Sequence, residues 1–165
     1  MRDLPKAGCV ALLLSLSLIA SAAAGPFEDG MTAHNRGDYA TALRFWRPLA
    51  EQGNPAAQVL LGGMYALGQG VPQDYAETVR WYRKAADQGD ARGQYYLGVM
   101  YANGQGVRKD YVQAYKWCNV AVARFPASET EDREKAVRSR ELIATKMTQA
   151  QIAEAQRLTK QWKPK

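Results

Sequence analysis

The sequence predicts an all-α fold, a short right-handed α/α solenoid in which pairs of helices stack along one axis. The first observation is a repeat: "LGGMYALGQGVPQDYAETVRWY" and "LGVMYANGQGVRKDYVQAYKWC" begin 36 residues apart. The second is helical spacing of apolar residues within each unit, and the third is a glycine-rich loop at the same place in both. A repeat period of roughly 20 to 50 residues is typical of solenoids whose units bury each other's faces.

Residues 1–24 are predicted to be a cleavable secretory signal peptide. A basic start is followed by an uncharged, largely apolar run over residues 9–19, and small side chains at Ala22 and Ala24 favour cleavage after Ala24. The run is shorter than the roughly 20 residues of a membrane-spanning helix. We expect a periplasmic or secreted protein without an integral membrane span after cleavage. The alternative is an uncleaved N-terminal segment that tethers the chain to a membrane.

Residues 25–165 are predicted to form a single solenoid domain. They contain 20 Lys and Arg against 15 Asp and Glu, a basic balance that favours anionic partners but does not indicate a fold. Cys118 is the one cysteine in this range, so no disulfide can form within it. Such a domain must be stabilised by its core alone.

Three predicted units begin at Tyr39, Tyr75 and Tyr111. Between residues 39–74 and 75–110, 18 of 36 positions are identical. Both ranges show apolar residues at helical spacing on either side of a short break. Each unit is therefore predicted to be a pair of antiparallel helices, followed by the glycine loop that leads to the next unit.

The second unit carries the clearest helix signals. Apolar residues recur at helical spacing across residues 75–88, and Asp74 with Glu77 three positions later is typical of a capping box. Asp90 is expected to begin a second helix that ends at Gly104, since glycine readily adopts the left-handed conformation found at helix ends.

The two ends depart from the repeat, as terminal units of a solenoid must. Residues 27–38 are predicted to form a helical half-unit, residues 111–146 a divergent third unit, and residues 147–163 a C-terminal capping helix. In the first unit, Pro48 is expected to kink the helix or to split it near Arg47.

Helix boundaries in the third unit follow from proline and from capping residues. Pro126 is expected to end its first helix, and Ser128 with Glu131 to begin a charged second helix. Thr148 with Gln151 is a second capping-box signal and is expected to begin the last helix.

The repeated glycines have two different predicted roles. Gly68 and Gly104 release the chain at the end of a helix. Gly62 and Gly98 lie inside a helix, where glycine costs about 1 kcal/mol relative to alanine. We expect a neighbouring helix to approach closely there, with a large side chain filling the notch. A phosphate-binding loop is not indicated, because no strand precedes the glycines and no Gly-Lys-Ser/Thr follows them.

The pattern L-G-x-x-Y-x-x-G-x-G-V-x-x-D-Y, followed by W-Y-x-x-A-A-x-x-G, resembles the Sel-one-like repeat family over residues 39 to about 122. That family is an α/α solenoid related to tetratricopeptide repeats. A tetratricopeptide array is the alternative, but its usual period is about 34 residues and it lacks this loop. The residues that carry the resemblance are Leu61, Gly62, Tyr65, Gly68, Gly70, Val71, Trp81, Tyr82, Ala85, Ala86, Gly89, Leu97, Gly98, Tyr101, Gly104, Gly106, Val107 and Asp110.

The sequence predicts no catalytic residues, no metal site and no cofactor. His34 is the only histidine and is expected to be a solvated surface residue, while Cys118 falls at an inward helix position and is expected to be a buried, inert thiol. One histidine and one cysteine provide neither a zinc quartet nor a Cys–His pair in this domain. Some members of the resembling family are cysteine-rich and linked to β-lactam binding, but their pair of cysteines per repeat is absent here.

Four carboxylates crowd the start of one predicted helix, where they suit its dipole better than they suit catalysis. They are Glu129, Glu131, Asp132 and Glu134.

Basic residues recur at equivalent positions of the three first helices and are predicted to form a ladder opposite the apolar stripe. This basic ladder is the candidate partner-binding site, and it consists of Arg44, Arg47, Arg80, Arg83 and Lys116. The alternative is an ordinary solvated surface, because Glu51, Glu77 and Asp87 lie close enough in the sequence to neutralise it.

We therefore predict a non-catalytic, exported scaffold or adaptor of the cell envelope that binds another protein or peptide, an acidic one included, in a solenoid groove. Nucleic acid is not an expected partner, because the aromatic residues have core spacing. The alternatives are an envelope hydrolase or peptidoglycan-active accessory, and a glycan-binding or structural module.

Overall fold

The computed structural model describes residues 25–165, so the predicted signal peptide lies outside the described residues. Within this range the chain forms eight α-helices and no strand, which confirms the predicted all-α solenoid. The helices are α1 (Pro26–Asn35), α2 (Tyr39–Glu51), α3 (Pro55–Leu67), α4 (Tyr75–Asp87), α5 (Ala91–Asn103), α6 (Tyr111–Arg124), α7 (Thr130–Ala144) and α8 (Gln149–Gln161). No helix of the described range is long and apolar enough to cross a membrane.

The helices form two layers. Each helix from α1 to α6 packs on the next one in the chain, and α8 packs on α6 beside α7. Helix α5 also contacts α3 and α7 directly, and α1 borders the same depression as α3 and α5, so the odd-numbered helices share one layer. Helices α2, α4 and α6 make up the other layer. The molecule therefore presents two different helical faces.

The core lies at the junctions between successive helix pairs. Trp46, Leu61 and Met64 pack with Trp81 at the first junction. At the second junction, Trp117 from α6 joins the corresponding cluster around α4 and α5. Helices α4 and α6 thus each contribute a tryptophan to the cluster of the preceding helix pair, which is how stacking units bury one another's faces.

The glycine loops have the predicted conformation. Gly104 ends α5 with a left-handed φ of 71°, and its amide donates to the carbonyl of Met100. The amide of Asp110 then donates to the carbonyl of Tyr101 at 3.0 Å, which folds the loop back onto α5. Val107 packs against the second core cluster. The same arrangement occurs 36 residues earlier, so the loop is part of the repeated structure.

The capping box predicted at α4 is incomplete. Asp74 accepts hydrogen bonds from the amides of Ala76 and Glu77, at 2.8 and 3.0 Å. Glu77 does not return a bond to the Asp74 amide, because its carboxylate binds Arg80 instead. The cap is therefore a one-way aspartate cap, whereas the predicted capping box of Thr148 and Gln151 at α8 is confirmed in both directions.

Two other helix boundaries differ from those expected. Of the two alternatives predicted at Pro48, a kink or a split near Arg47, the split does not occur, because α2 continues through Pro48 to Glu51. Helix α7 begins at Thr130 with Glu129 as its N-cap and no side-chain capping bond, so Ser128 does not cap it.

Two buried glutamines, which no pattern in the sequence indicates, tie neighbouring helices together. Gln58 and Gln94 are 2% and 0% exposed. The side-chain amide of Gln58 donates to the carbonyl of Ala50 at 3.0 Å, and that of Gln94 donates to the carbonyl of Ala86 at 3.1 Å. Each glutamine fixes the start of an odd-numbered helix against the end of the helix before it.

Candidate functional site

A groove runs along the face of α3 between α1 and α5. It consists of two adjoining depressions of about 500 and 390 Å³ that share Val59 and Leu60 in their lining. Phe27 and Met31 of α1 line the larger depression, and Tyr96 of α5 lines the smaller one. The shared residues make the two depressions one continuous feature of the odd-numbered layer.

The groove collects most of the exposed apolar side chains of the described residues. Among the described residues, four large hydrophobic side chains are exposed: Leu67 (69%), Leu142 (62%), Tyr96 (39%) and Met31 (36%). All except Leu142 line the groove. Scattered exposed apolar residues are ordinary, but several along one depression mark an interaction surface.

Helix α3 supplies the floor of this groove because its apolar residues extend around most of the helix. Leu61 and Met64 face the core, while Val59, Leu60 and Leu67 reach the groove. A helix that is apolar on more than one side needs a second surface to pack against. This breadth is a signal in the sequence that could have located the groove, although the sequence analysis did not use it.

His34 is not the solvated residue that the sequence predicted. Its ring lies 5.2 Å from that of Tyr39 and 5.5 Å from that of Trp46. Its Nε2 is 3.1 Å from Oε1 of Gln69, a residue of the glycine loop. His34 is therefore half-buried, and with Gln69 it forms a polar end to the smaller depression.

Charged residues surround the opposite end of the groove. Arg92 pairs with Glu129 at 3.2 Å and with Asp132 at 3.4 Å, which ties α5 to the start of α7. The guanidinium of Arg124 lies 4.7 Å from the ring centroid of Trp162. Two of the four crowded carboxylates thus act as structural partners of an arginine, and the groove has an apolar centre between polar ends.

Tyr96 adds a hydrogen-bonding group to the groove. Its ring stacks on that of Tyr82, with centroids 5.2 Å apart. Burial raises the pKa of Tyr96, with a further contribution from Asp132. The phenol consequently remains protonated at neutral pH and can donate a hydrogen bond to a ligand.

The basic ladder lies on the other layer. Its five residues project from α2, α4 and α6, so the structure separates the sequence-predicted site from the groove. Lys116 on α6 lies within electrostatic range of Asp87 and Arg83 on α4, the preceding even-numbered helix. Arg80 lies within range of Glu51 in the same way. The ladder residues of α4 and α6 are therefore neighbours, and Arg80 of α4 lies near the end of α2.

Some arginines of the basic ladder form hydrogen bonds with neighbouring side chains. Arg80 binds Glu77 through two hydrogen bonds of 2.6 and 2.9 Å, and this contact lowers the pKa of the Glu77 carboxyl. Arg83 donates to the hydroxyl of Tyr101 at 2.7 Å. Glu77 and Asp87 were the two carboxylates expected to neutralise the ladder arginines of α4. Glu77 pairs with Arg80, whereas Asp87 pairs with Lys165 at 2.9 Å.

Cys118 is buried, as the sequence predicted. It is 0% exposed, and burial raises the pKa of its thiol to about 12. Its Sγ occupies the notch at Gly98, where an added Cβ would lie 2.8 Å away. The thiol therefore fills space and is a poor nucleophile. Among residues 25–165, no group of three or more His, Cys, Asp or Glu residues is arranged to hold a metal ion.

The residues predicted to be repeat-structural lie at equivalent places in the two complete units. Leu61 and Leu97 are fully buried, while Gly62 and Gly98 lie against the next even-numbered helix. The remaining members of this set are Tyr65, Tyr101, Gly68, Gly104, Gly70 and Gly106, which belong to the helix ends and loops.

Comparison with known proteins identifies the repeat. The family model described as Sel1 repeat matches residues 29–54, 55–90 and 91–123. Its second match covers α3, a glycine loop and α4, and its third covers α5, a glycine loop and nearly all of α6. The family model therefore divides the repeat at a different point from units that start at Tyr39. No curated protein matches the chain.

Two crystal structures are similar to this chain. One is a protective antigen of uropathogenic Escherichia coli strains with an SLR fold, which is 30% identical, with a TM-score of 0.74, over 82% of this chain and 28% of that one. The other is a Sel1 repeat protein from Oxalobacter formigenes, 36% identical, with a TM-score of 0.56, over 59% of this chain and 40% of that one. This chain therefore spans less than half the length of either protein.

The three matches cover more than half of the sequence, and each falls on a helix pair of the solenoid. The chain belongs to the Sel1 repeat family.

Proposed function

We propose that this protein is an exported scaffold that binds a segment of a partner protein in the groove between α1 and α5. Sel1 repeat proteins bind other proteins, and the family is typically a non-catalytic scaffold. The observation that carries the proposal is the position of Met31, Leu67 and Tyr96 along a single groove. Water that covers exposed apolar side chains is released when a partner buries them, which drives association.

The proposed ligand is a polypeptide segment with apolar side chains at its centre and polar groups at its ends. Leu60 and Leu67 would receive the apolar side chains, while Tyr96 and His34 offer hydrogen bonds beside them. The stacked helices fix this surface before binding, so little backbone entropy is lost by the scaffold. Such a preformed surface is sufficient for an adaptor and needs no chemical step.

Export is part of the proposal and rests on residues 1–24 of the sequence. We expect the protein to be recovered from the periplasm or the medium with Gly25 as its first residue. Mass spectrometry of the intact protein from each cell fraction measures this directly. Recovery of an uncleaved chain in the membrane fraction would support the tethered alternative instead.

Substitutions at exposed groove positions test the binding site without disturbing the core. The double variant M31E/L67E places two charges in the groove, and L142E places one on the exposed apolar residue of α7 outside it. Burying one aliphatic side chain is worth roughly 1.5–3 kcal/mol, so we expect the affinity of M31E/L67E for the purified partner to fall by at least about tenfold.

The matched control decides the interpretation. L142E should bind the partner like the unsubstituted protein in isothermal titration calorimetry, and all variants should retain the same helical circular dichroism. If L142E lost as much affinity for the partner as M31E/L67E, or if M31E/L67E kept full affinity, the groove would not be the binding site.

A further inference from the structure

The even-numbered layer carries a depression of its own, remote from the groove between α1 and α5. It has a volume of about 400 Å³ and lies between α4 and the glycine loop that leads into α6. Its apolar lining comes from Ala76, Val79 and Val107. The charged lining consists of Arg80, Arg83, Lys84 and Asp87, which are three cations and one carboxylate.

Three cations in and beside this depression have no carboxylate partner. Among the described residues, no carboxylate lies within ion-pair distance of Arg83, Lys84 or Lys116. Nζ of Lys84 lies 4.5 Å from the ring centroid of Trp81, and Nζ of Lys116 lies 4.0 Å from that of Trp117. These contacts hold the two lysines in place without an ion pair to a carboxylate.

Lys165 forms an ion pair with Asp87, the one carboxylate of this depression. Nζ of Lys165 lies 2.9 Å from Oδ2 of Asp87, and the amide of Lys165 donates to the Asp87 carbonyl at 2.8 Å. Burial lowers the pKa of Lys116, Asp87 raises it, and Arg83 and Lys165 lower it further. An anionic group that reached this surface would stabilise cations that now repel one another.

We propose that this basic depression is a second docking site, which binds an acidic polypeptide segment that also contains aliphatic side chains. Carboxylates of the segment would meet Arg83, Lys84 and Lys116, and an aliphatic side chain would occupy the apolar floor at Val79 and Val107. The apolar floor favours a polypeptide over a uniform polyanion, because a polyanion has no apolar side chain to bury against it. The inference rests on the proposed scaffold function but uses a different face of the molecule.

Fluorescence anisotropy with labelled synthetic probes tests this site on the purified protein. The probe is a peptide of alternating glutamate and valine. Polyglutamate, inorganic polyphosphate, and vesicles of phosphatidylglycerol and phosphatidylcholine in equal parts are the competing anions. We expect saturable binding of the peptide, about tenfold tighter than that of polyglutamate. The affinity should decrease as salt is added.

A matched pair of variants locates the binding. R83Q/K84Q/K116Q should weaken peptide binding by at least about tenfold, whereas R133Q/R138Q/R157Q, which removes the same charge from α7 and α8, should leave it within about twofold. The groove variant M31E/L67E should bind the peptide normally, which separates this proposal from the function proposed for the groove.

Several outcomes would overturn the proposal. No saturable peptide binding would show that the surface is merely solvated. Equal or tighter binding of polyglutamate or polyphosphate would remove the role of the apolar floor. Tighter binding of the vesicles would make the face a membrane-binding surface. An equal loss of peptide affinity in the two triple variants would show that net charge alone is responsible.

Discussion

Gly62 and Gly63 are neighbours in α3 but have very different surroundings. A Cβ added at Gly62 would lie 2.7 Å from two ring atoms of Tyr82, which is 6% exposed and packed in the second core cluster. A Cβ added at Gly63 would meet only the Tyr82 hydroxyl, at 3.7 Å, which is ordinary contact. The same substitution at the two positions therefore has opposite physical consequences.

We predict that G62A destabilises the protein and that G63A stabilises it. Overpacking a well-packed core costs about 1–3 kcal/mol, and replacing a helical glycine with alanine returns about 1 kcal/mol. The free energy of unfolding should fall by up to about 2 kcal/mol in G62A and rise by about 0.5–1 kcal/mol in G63A. Urea unfolding followed by circular dichroism measures both, and a G62A variant as stable as G63A would disprove the notch.

Residue-scale predictions from the sequence succeeded where the repeat itself carried the information. The notch at Gly62 is filled by a large side chain, Tyr82, as expected, whereas the notch at Gly98 holds the smaller Cys118. His34 was predicted wrongly because its partners Gln69 and Trp46 come from other helices and loops. The environment of a single polar residue depends on tertiary neighbours that its local sequence does not specify.

At the scale of helices, capping signals were a partial guide. Thr148 accepts from the amide of Gln151 at 3.2 Å, and the Gln151 side chain accepts from the Thr148 amide at 2.9 Å. At α7 the similar signal of Ser128 and Glu131 is not used, because the helix begins two residues after Ser128. A capping motif in the sequence forms a cap only where the helix begins at the residue that follows it.

Alanine substitutions at Thr148 and Ser128 distinguish a capping residue from one that caps nothing. T148A removes the capping acceptor of α8 and should lower the free energy of unfolding by about 1 kcal/mol. S128A should change it by less than about 0.5 kcal/mol, since Ser128 is exposed and caps nothing. Thermal unfolding of both variants gives the comparison, and a larger loss in S128A would mean that α7 begins earlier than described.

Pro48 shows why element boundaries cannot be read from residue type alone. Proline lacks one amide hydrogen bond and crowds the carbonyl of the residue four positions earlier, so residue type alone predicts a kink or a split. Pro48 lies in the last turn of α2, and the amide of Gln52 already donates to its carbonyl at 3.0 Å. Burial of Trp46 and Ala50 on either side holds the helix together through the proline.

At the scale of the molecule, the period of the sequence was sufficient to predict a stack of helix pairs. It did not reveal which layer would carry exposed apolar side chains. The ladder positions are periodic in the sequence and were found. Met31 and Leu67 also lie one 36-residue period apart, but Tyr96 occupies a different position of the repeat. They come together only because α1, α3 and α5 lie side by side.

The resulting molecule has two chemically distinct faces. The odd-numbered layer offers an apolar groove with polar ends, and the even-numbered layer offers a basic surface with a small apolar floor. A scaffold with two such faces can hold two segments of one partner, or one segment from each of two partners, without competition between the sites.

Photo-crosslinking in intact cells tests the groove most directly. A photoreactive amino acid is placed at Leu67 in one variant and at Leu142 in another, since both side chains are exposed and only the first lines the groove. If the groove binds the partner, the residue at position 67 captures one protein reproducibly and the residue at position 142 does not. Capture of the same protein with equal yield at both positions, or capture at position 142 alone, would contradict it.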